Sequence, residues 1–209
     1  MTGAVTDAPW FAAAVQQLAR ELRAHHAPTA EDSHRTAVLA RGVAVRLGLP
    51  AMEATEVELV AVLHDVGKLA VPPRLLEFPG TLDSDERGIL RSHSLAGAAL
   101  LADHAGLEDL ADAVRAVHER WDGKGYPDGL RGEEIPLASR IVAAVDAWDA
   151  MTHHRPYRRG LPASEARVRL ALGAESQFDP EVVDALLTEL HARSGRLAGR
   201  RPAGSRCPV

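Results

Sequence analysis

Apolar residues recur along most of this chain at three- and four-residue intervals. That is the spacing of one helix face, not the alternation of a strand. A first helix is predicted over residues 9–24. Ser33 can cap a second, whose apolar face is Ala37, Val38, Ala40, Val43, Ala44 and Leu47, with Gly48 as its stop. A third runs over residues 52–66 and ends at Gly67, and Pro72-Pro73 forces a break. Asp83 followed three residues later by Glu86 predicts a capped helix over residues 83–103, and another covers 107–121. Residues 122–136 are a Gly- and Pro-rich loop. Helices then follow over 137–151, from Pro162, and from Asp179-Pro180-Glu181, which supplies an N-cap, an N1 proline and a first-turn acid. No internal repeat and no alternating segment stands out, so the predicted fold class is all-α, a single-domain helical bundle.

Composition supports this. The 209 residues are 46% hydrophobic and only 4% aromatic. The core must therefore rest on Ala, Val and Leu, which suits packed helices better than a sandwich of strands. The division predicted is an N-terminal helical extension over 1–28, a main domain over 29–193, and a tail over 194–209. The tail is rich in Gly, Arg, Pro and Ser, a composition that favours disorder. A net charge of −5 argues against a stable nucleic-acid-binding protein. No apolar run approaches the roughly 20 residues needed to span a membrane. The N-terminus lacks a basic region followed by an apolar run, so a cytoplasmic location is expected. The single cysteine, Cys207, removes disulfide frameworks and thiolate zinc sites.

Two polar islands interrupt the aliphatic pattern. The first is His64-Asp65-Val66-Gly67-Lys68. The second is His118-Glu119-Arg120-Trp121-Asp122-Gly123-Lys124-Gly125-Tyr126-Pro127-Asp128-Gly129-Leu130. A His-Asp pair alone can be no more than a polar helix end. Here His34, His93 and His118 lie on three other predicted helices, and Asp146 sits among Ile141, Val142, Ala143, Ala144 and Val145. A carboxylate in such surroundings is costly to bury unless it is paired or bound to a cation. One donor per helix converging on a bundle interior is how helical metalloproteins are built. Imidazole and carboxylate donors suit Zn, Fe, Mn or Ni. Lys68 reads either as a helix-end lysine favoured by the dipole or as an ammonium reaching a phosphate. Arg155 and Arg158 read as solvated loop arginines or as bidentate phosphate ligands. Asp149 is expected to cap or to form a salt bridge.

With Gly97, Glu134-Ile135-Pro136, Arg140-Ile141-Val142, Asp146-Ala147-Trp148-Asp149-Ala150-Met151, Arg155-Pro156-Tyr157-Arg158 and Phe178-Asp179-Pro180 in the same order, the chain closely resembles the HD-GYP domain. That domain is a branch of the HD superfamily of metal-dependent phosphohydrolases. The resemblance covers residues 34–190. It implies an HD-type helical bundle with a two- or three-metal centre, usually iron or manganese, hydrolysing cyclic di-GMP to pGpG or GMP. Carried over, it implies that His34, His64, Asp65 and Asp146 form a first metal site. Asp65 would bridge to a second metal held by His93 and His118. Lys68 would stand by the attacking water, and Arg155 and Arg158 would hold substrate phosphates.

The sequence departs from the pattern twice. Val117 stands where the family has a first histidine before His118-Glu119, so the second site is short of one ligand. Ala30 occupies the position of a third-metal carboxylate. The expectation is one complete metal site beside a weakened second. Two other readings follow: a cyclic di-GMP receptor or adaptor that has lost catalysis, and a one-metal phosphohydrolase acting on another nucleotide or phosphate ester. Residues before His34 are too few for a sensor domain. Regulation is therefore expected from a partner protein or a homodimer.

Overall fold

The structure is a computed structural model, and it describes residues 9–154 and 159–198. Among them there are ten α-helices and no strand, with one isolated bridge between Ala174 and Phe178. The helices are α1 (Pro9–His25), α2 (Ala27–Arg46), α3 (Ala51–Leu63), α4 (Pro73–Leu76), α5 (Ser84–Arg91), α6 (His93–Ala102), α7 (Ala111–Arg115), α8 (Leu137–Thr152), α9 (Ala163–Gly173) and α10 (Pro180–Ala198). Short 3-10 turns stand at Val66–Ala70, Glu108–Leu110, Ala116–His118 and Gly132–Glu134.

The chain is a single helical domain. α2 and α8 lie at its centre, each packed against α3 and α10, and α1 covers α2. Leu18 of α1, Val43 of α2, Val60 and Leu63 of α3, Ile141 of α8 and Leu186 of α10 are fully buried in one core. The expected boundary at residue 28 therefore falls inside α2, and α1 contributes to the core. The tail expected from Ser194 likewise starts within α10, and residues 199–209 lie outside the described residues.

Local chemistry explains most helix ends. Asp83 accepts from the amides of Asp85 and Glu86 while Glu86 accepts from the Asp83 amide, the expected capping box. Asp179 accepts from the Glu181 and Val182 amides and starts α10. Two ends differ from expectation. α2 begins about two turns earlier than a cap at Ser33 would place it: His26 is its N-cap, with Nδ1 accepting from the Thr29 amide, and Pro28 fits the first turn. Ser33 is then buried in the helix interior. The helix expected over 83–103 breaks at Ser92. There Ser92 Oγ, His93 Nδ1 and Ser94 Oγ each bond a carbonyl three residues back, at Ile89, Leu90 and Arg91. Side chains that bond the preceding turn in this way compete with the backbone ladder.

Candidate metal centre

The apolar face of α3 drives its C-terminus into the core, so His64 is 1% exposed where the helix ends. Its Nδ1 lies 2.8 Å from the Ala61 carbonyl. A carbonyl can only accept, so Nδ1 carries the proton and Nε2 presents its lone pair. The 3-10 turn beginning at Val66 then brings the chain against the start of α6. The approach is close enough that a Cβ at Gly67 would lie 1.9 Å from the His93 carbonyl oxygen, so only glycine fits. His93 is oriented as His64 is, with Nδ1 2.5 Å from the Leu90 carbonyl. His118 ends the 3-10 turn after α7, and its Nε2 is 2.8 Å from His93 Nε2.

Asp65 stands at the middle. Its Oδ1 is 3.4 Å from His93 Nε2, while its Oδ2 is 3.4 Å from His64 Nε2 and 2.6 Å from Lys68 Nζ. Asp146 Oδ1 on α8 lies 3.8 Å from His64 Nε2. Donor atoms of Asp65, His93 and His118 all fall within 4.8 Å of one another, a group able to hold a metal ion. Asp65 Oδ1 is buried and has no hydrogen-bond partner among the described residues, an orphaned acceptor that a cation would satisfy. The residues present thus fit a divalent cation.

The electrostatics agree. Burial pushes the Asp65 carboxyl up, but Lys68 foremost and the surrounding imidazoles outweigh it, and its pKa lies well below the ordinary value. Burial lowers His93, and burial with His93 alongside lowers His118 to about 3. Both rings are therefore neutral at pH 7, the form that binds metals. Burial raises the Tyr126 phenol to about 12.

His34 does not join this group. It is exposed on α2 and lines a separate cavity of about 440 Å³ with Leu22, Arg23 and Glu31, between α1 and α2. His34 shares its side of α2 with the exposed Val38 and Val45. The donors that converge, Asp65, His93 and His118, are those of the expected second site. Val117 is 1% exposed, packs in the core and borders a cavity of about 230 Å³ shared by His118, Tyr126 and Asp146. Arg155 and Arg158 lie outside the described residues.

Other residues were not foreseen. Tyr126 stacks on His118 at 5.2 Å with planes 16° apart. Glu119 Oε1 accepts from the Asp128 and Gly129 amides, fastening the glycine-rich loop, while its Oε2 is buried without a hydrogen-bond partner among the described residues. Arg35 makes two hydrogen bonds to Asp149, one turn after Asp146, and also pairs with Asp32. Asp149 thus forms the salt bridge expected of it.

Comparison with known proteins places this centre. A family model described as HD domain matches residues 16–182. The cyclic di-GMP phosphodiesterase response regulator RpfG of Xanthomonas campestris pv. campestris is 39% identical over 175 residues, 83% of this chain and 46% of that protein. A cyclic di-GMP phosphodiesterase of Thermotoga maritima is 37% identical over 161 residues, 76% of this chain and 44% of that protein. The chain spans about half the length of these curated relatives. The crystal structure of the Vibrio cholerae cyclic GMP-AMP-specific phosphodiesterase V-cGAP3 matches the fold with a TM-score of 0.65 at 17% identity, over 90% of this chain and 50% of that one. With the matched model covering most of its length and a His-Asp pair at the centre of its donor group, the chain belongs to the HD domain family.

Proposed function

We propose that this chain is a metal-dependent phosphodiesterase that hydrolyses cyclic di-GMP to pGpG or GMP. One observation carries the reading: the two oxygens of Asp65 face different partners, Oδ1 towards His93, which touches His118, and Oδ2 towards His64. A carboxylate so placed can be shared by two cations, with His93 and His118 on one side and His64 and Asp146 on the other. Iron or manganese there would lower the pKa of a water and polarise the phosphodiester. His64 and His93, each fixed by a carbonyl at Nδ1, direct Nε2 towards Asp65. Lys68 neutralises Asp65 and offers an ammonium to charge developing on phosphate oxygens. Arg155 and Arg158 are assigned to substrate phosphates on sequence alone. The cavity bordered by His118, Asp146 and Tyr126 receives the substrate. Residues 29–193 are the catalytic unit in this reading. A partner protein or a second copy of the chain would regulate it. No helix among the described residues is long and apolar enough to cross a membrane.

The test is turnover by manganese- or anaerobically iron-loaded protein. Release of pGpG or GMP that is abolished by Asp65→Ala is expected. No product from metal-loaded protein would reject the activity, and turnover retained by Asp65→Ala would reject the site.

Val117 favours a second reading, a receptor that binds cyclic di-GMP without cleaving it, because an apolar side chain beside His118 offers no ligand. Tight binding without product, with activity gained by Val117→His, would select it.

A further inference from the structure

Arg91 ends α5, two residues before His93, and is held there by the same turn that orients that histidine: the Leu90 carbonyl bonds His93 Nδ1 and the Arg91 carbonyl accepts from buried Ser94 Oγ at 3.0 Å. Its guanidinium carbon lies 5.0 Å from the centroid of the Tyr126 ring, the ring that stacks on His118. The side chain borders the cavity that holds His118 and Asp146. Two other cations border that cavity, and both face Asp122: Arg120 with two hydrogen bonds, Lys124 at 3.8 Å. Arg91 forms no ion pair among the described residues. A guanidinium laid on an aromatic ring keeps its planar fork of N–H donors for a planar or anionic ligand, and the stacking fixes its orientation in advance.

We propose that Arg91 is a substrate-binding residue that takes the second, non-reacting phosphate of a cyclic dinucleotide. Tyr126 is the shared neighbour of Arg91 and His118, so Arg91 sits one ring away from the donor group rather than on it. A ligand with a single phosphate at the donor group leaves Arg91 without a partner. A cyclic dinucleotide carries two phosphates on one ring and can engage both. The inference rests on the phosphodiesterase reading and deepens it, because it gives the site a reason to prefer two linked phosphates over one. It acts through binding and not through the chemical step.

The test is steady-state hydrolysis of cyclic di-GMP by manganese-loaded wild type, Arg91→Ala and Arg91→Lys, with metal per chain measured on each. Loss of a charge-assisted pair predicts a KM raised roughly tenfold or more in Arg91→Ala. The expected kcat stays within about threefold of wild type, since binding lost equally from ground and transition states leaves it unchanged. Metal content should stay the same. Arg91→Lys should recover part of the loss, keeping the charge without the fork. An unchanged KM overturns the proposal. So does a fall in metal content or kcat at constant KM, which would mean that Arg91 only props Tyr126 and His118. Failure of the phosphodiesterase reading is distinguishable, because wild type itself would then release no product, and Arg91 would lose its assignment with it.

Discussion

Gly67→Ala tests the packing that creates the donor group. The added Cβ would lie 1.9 Å from the His93 carbonyl oxygen, 2.4 Å from the Gly97 nitrogen and 2.9 Å from the Gly97 Cα. All three are backbone atoms of α6, so no side chain can swing aside. Ordinary contact begins near 3.4 Å, so the first overlap alone asks for 3.4 − 1.9 = 1.5 Å of separation between the 3-10 turn and α6. Asp65 is on one side of that gap and His93 on the other, only 3.4 Å apart. Overpacking of this kind costs about 1–3 kcal/mol, and rigid backbone puts this case at the upper end. For a domain of this size that is a fall in Tm of roughly 6–12 °C. The assay is thermal unfolding of metal-free protein beside a manganese titration, with Gly88→Ala as control. A Cβ at Gly88, inside α5, meets nothing, and the change should be neutral or stabilising by up to about 1 kcal/mol. A Gly67→Ala protein with wild-type Tm and wild-type manganese affinity would refute the reasoning.

Three further predictions follow from named contacts. Arg35→Ala leaves the nearly buried Asp149 carboxylate with only His153 Nδ1 beside it among the described residues and should destabilise by about 1.5–3 kcal/mol, read by urea denaturation; a change under about 0.5 kcal/mol would exclude the pair as a structural link between α2 and α8. Glu119→Ala orphans the Asp128 and Gly129 amides, at about 1–3 kcal/mol each, and should speed proteolysis within residues 122–136; unchanged cleavage would mean the loop is held by other contacts. At Glu189, burial raises the carboxyl but hydrogen bonds from Arg193 and Arg46 outweigh it, so its folded pKa lies below the ordinary 4.5. A lowered folded pKa means stability fully present above pH 4.5 and lost as pH falls through the folded value. Glu189→Gln should therefore flatten the acid limb of the stability curve below that pH, and an unaltered limb would remove Glu189 from the account.

Much of the fold was legible because its signals are local. Asp83 with Glu86, and Asp179-Pro180-Glu181, are capping chemistry written within four residues, and both helices start where the sequence predicts. His64, Asp65, His93 and His118 were legible as donors because each interrupts or ends an apolar run. The start of α2 was not, because His26 and Ser33 are both competent caps and only the packing of α1 against α2 decides between them. His34 was named through the family resemblance and not through a local signal. Arg91 and Tyr126 carry no sequence signal of their relation, since 35 positions separate them and only the fold brings guanidinium and ring together.

The account turns on which histidines hold metal. Manganese retained per chain after gel filtration, compared among wild type, His34→Ala and His93→Ala, tests this most directly. Asp65, His93 and His118 converge while His34 lines another cavity. His34→Ala should keep the wild-type complement, and His93→Ala should lose it. Loss of metal in His34→Ala with full retention in His93→Ala would contradict the account.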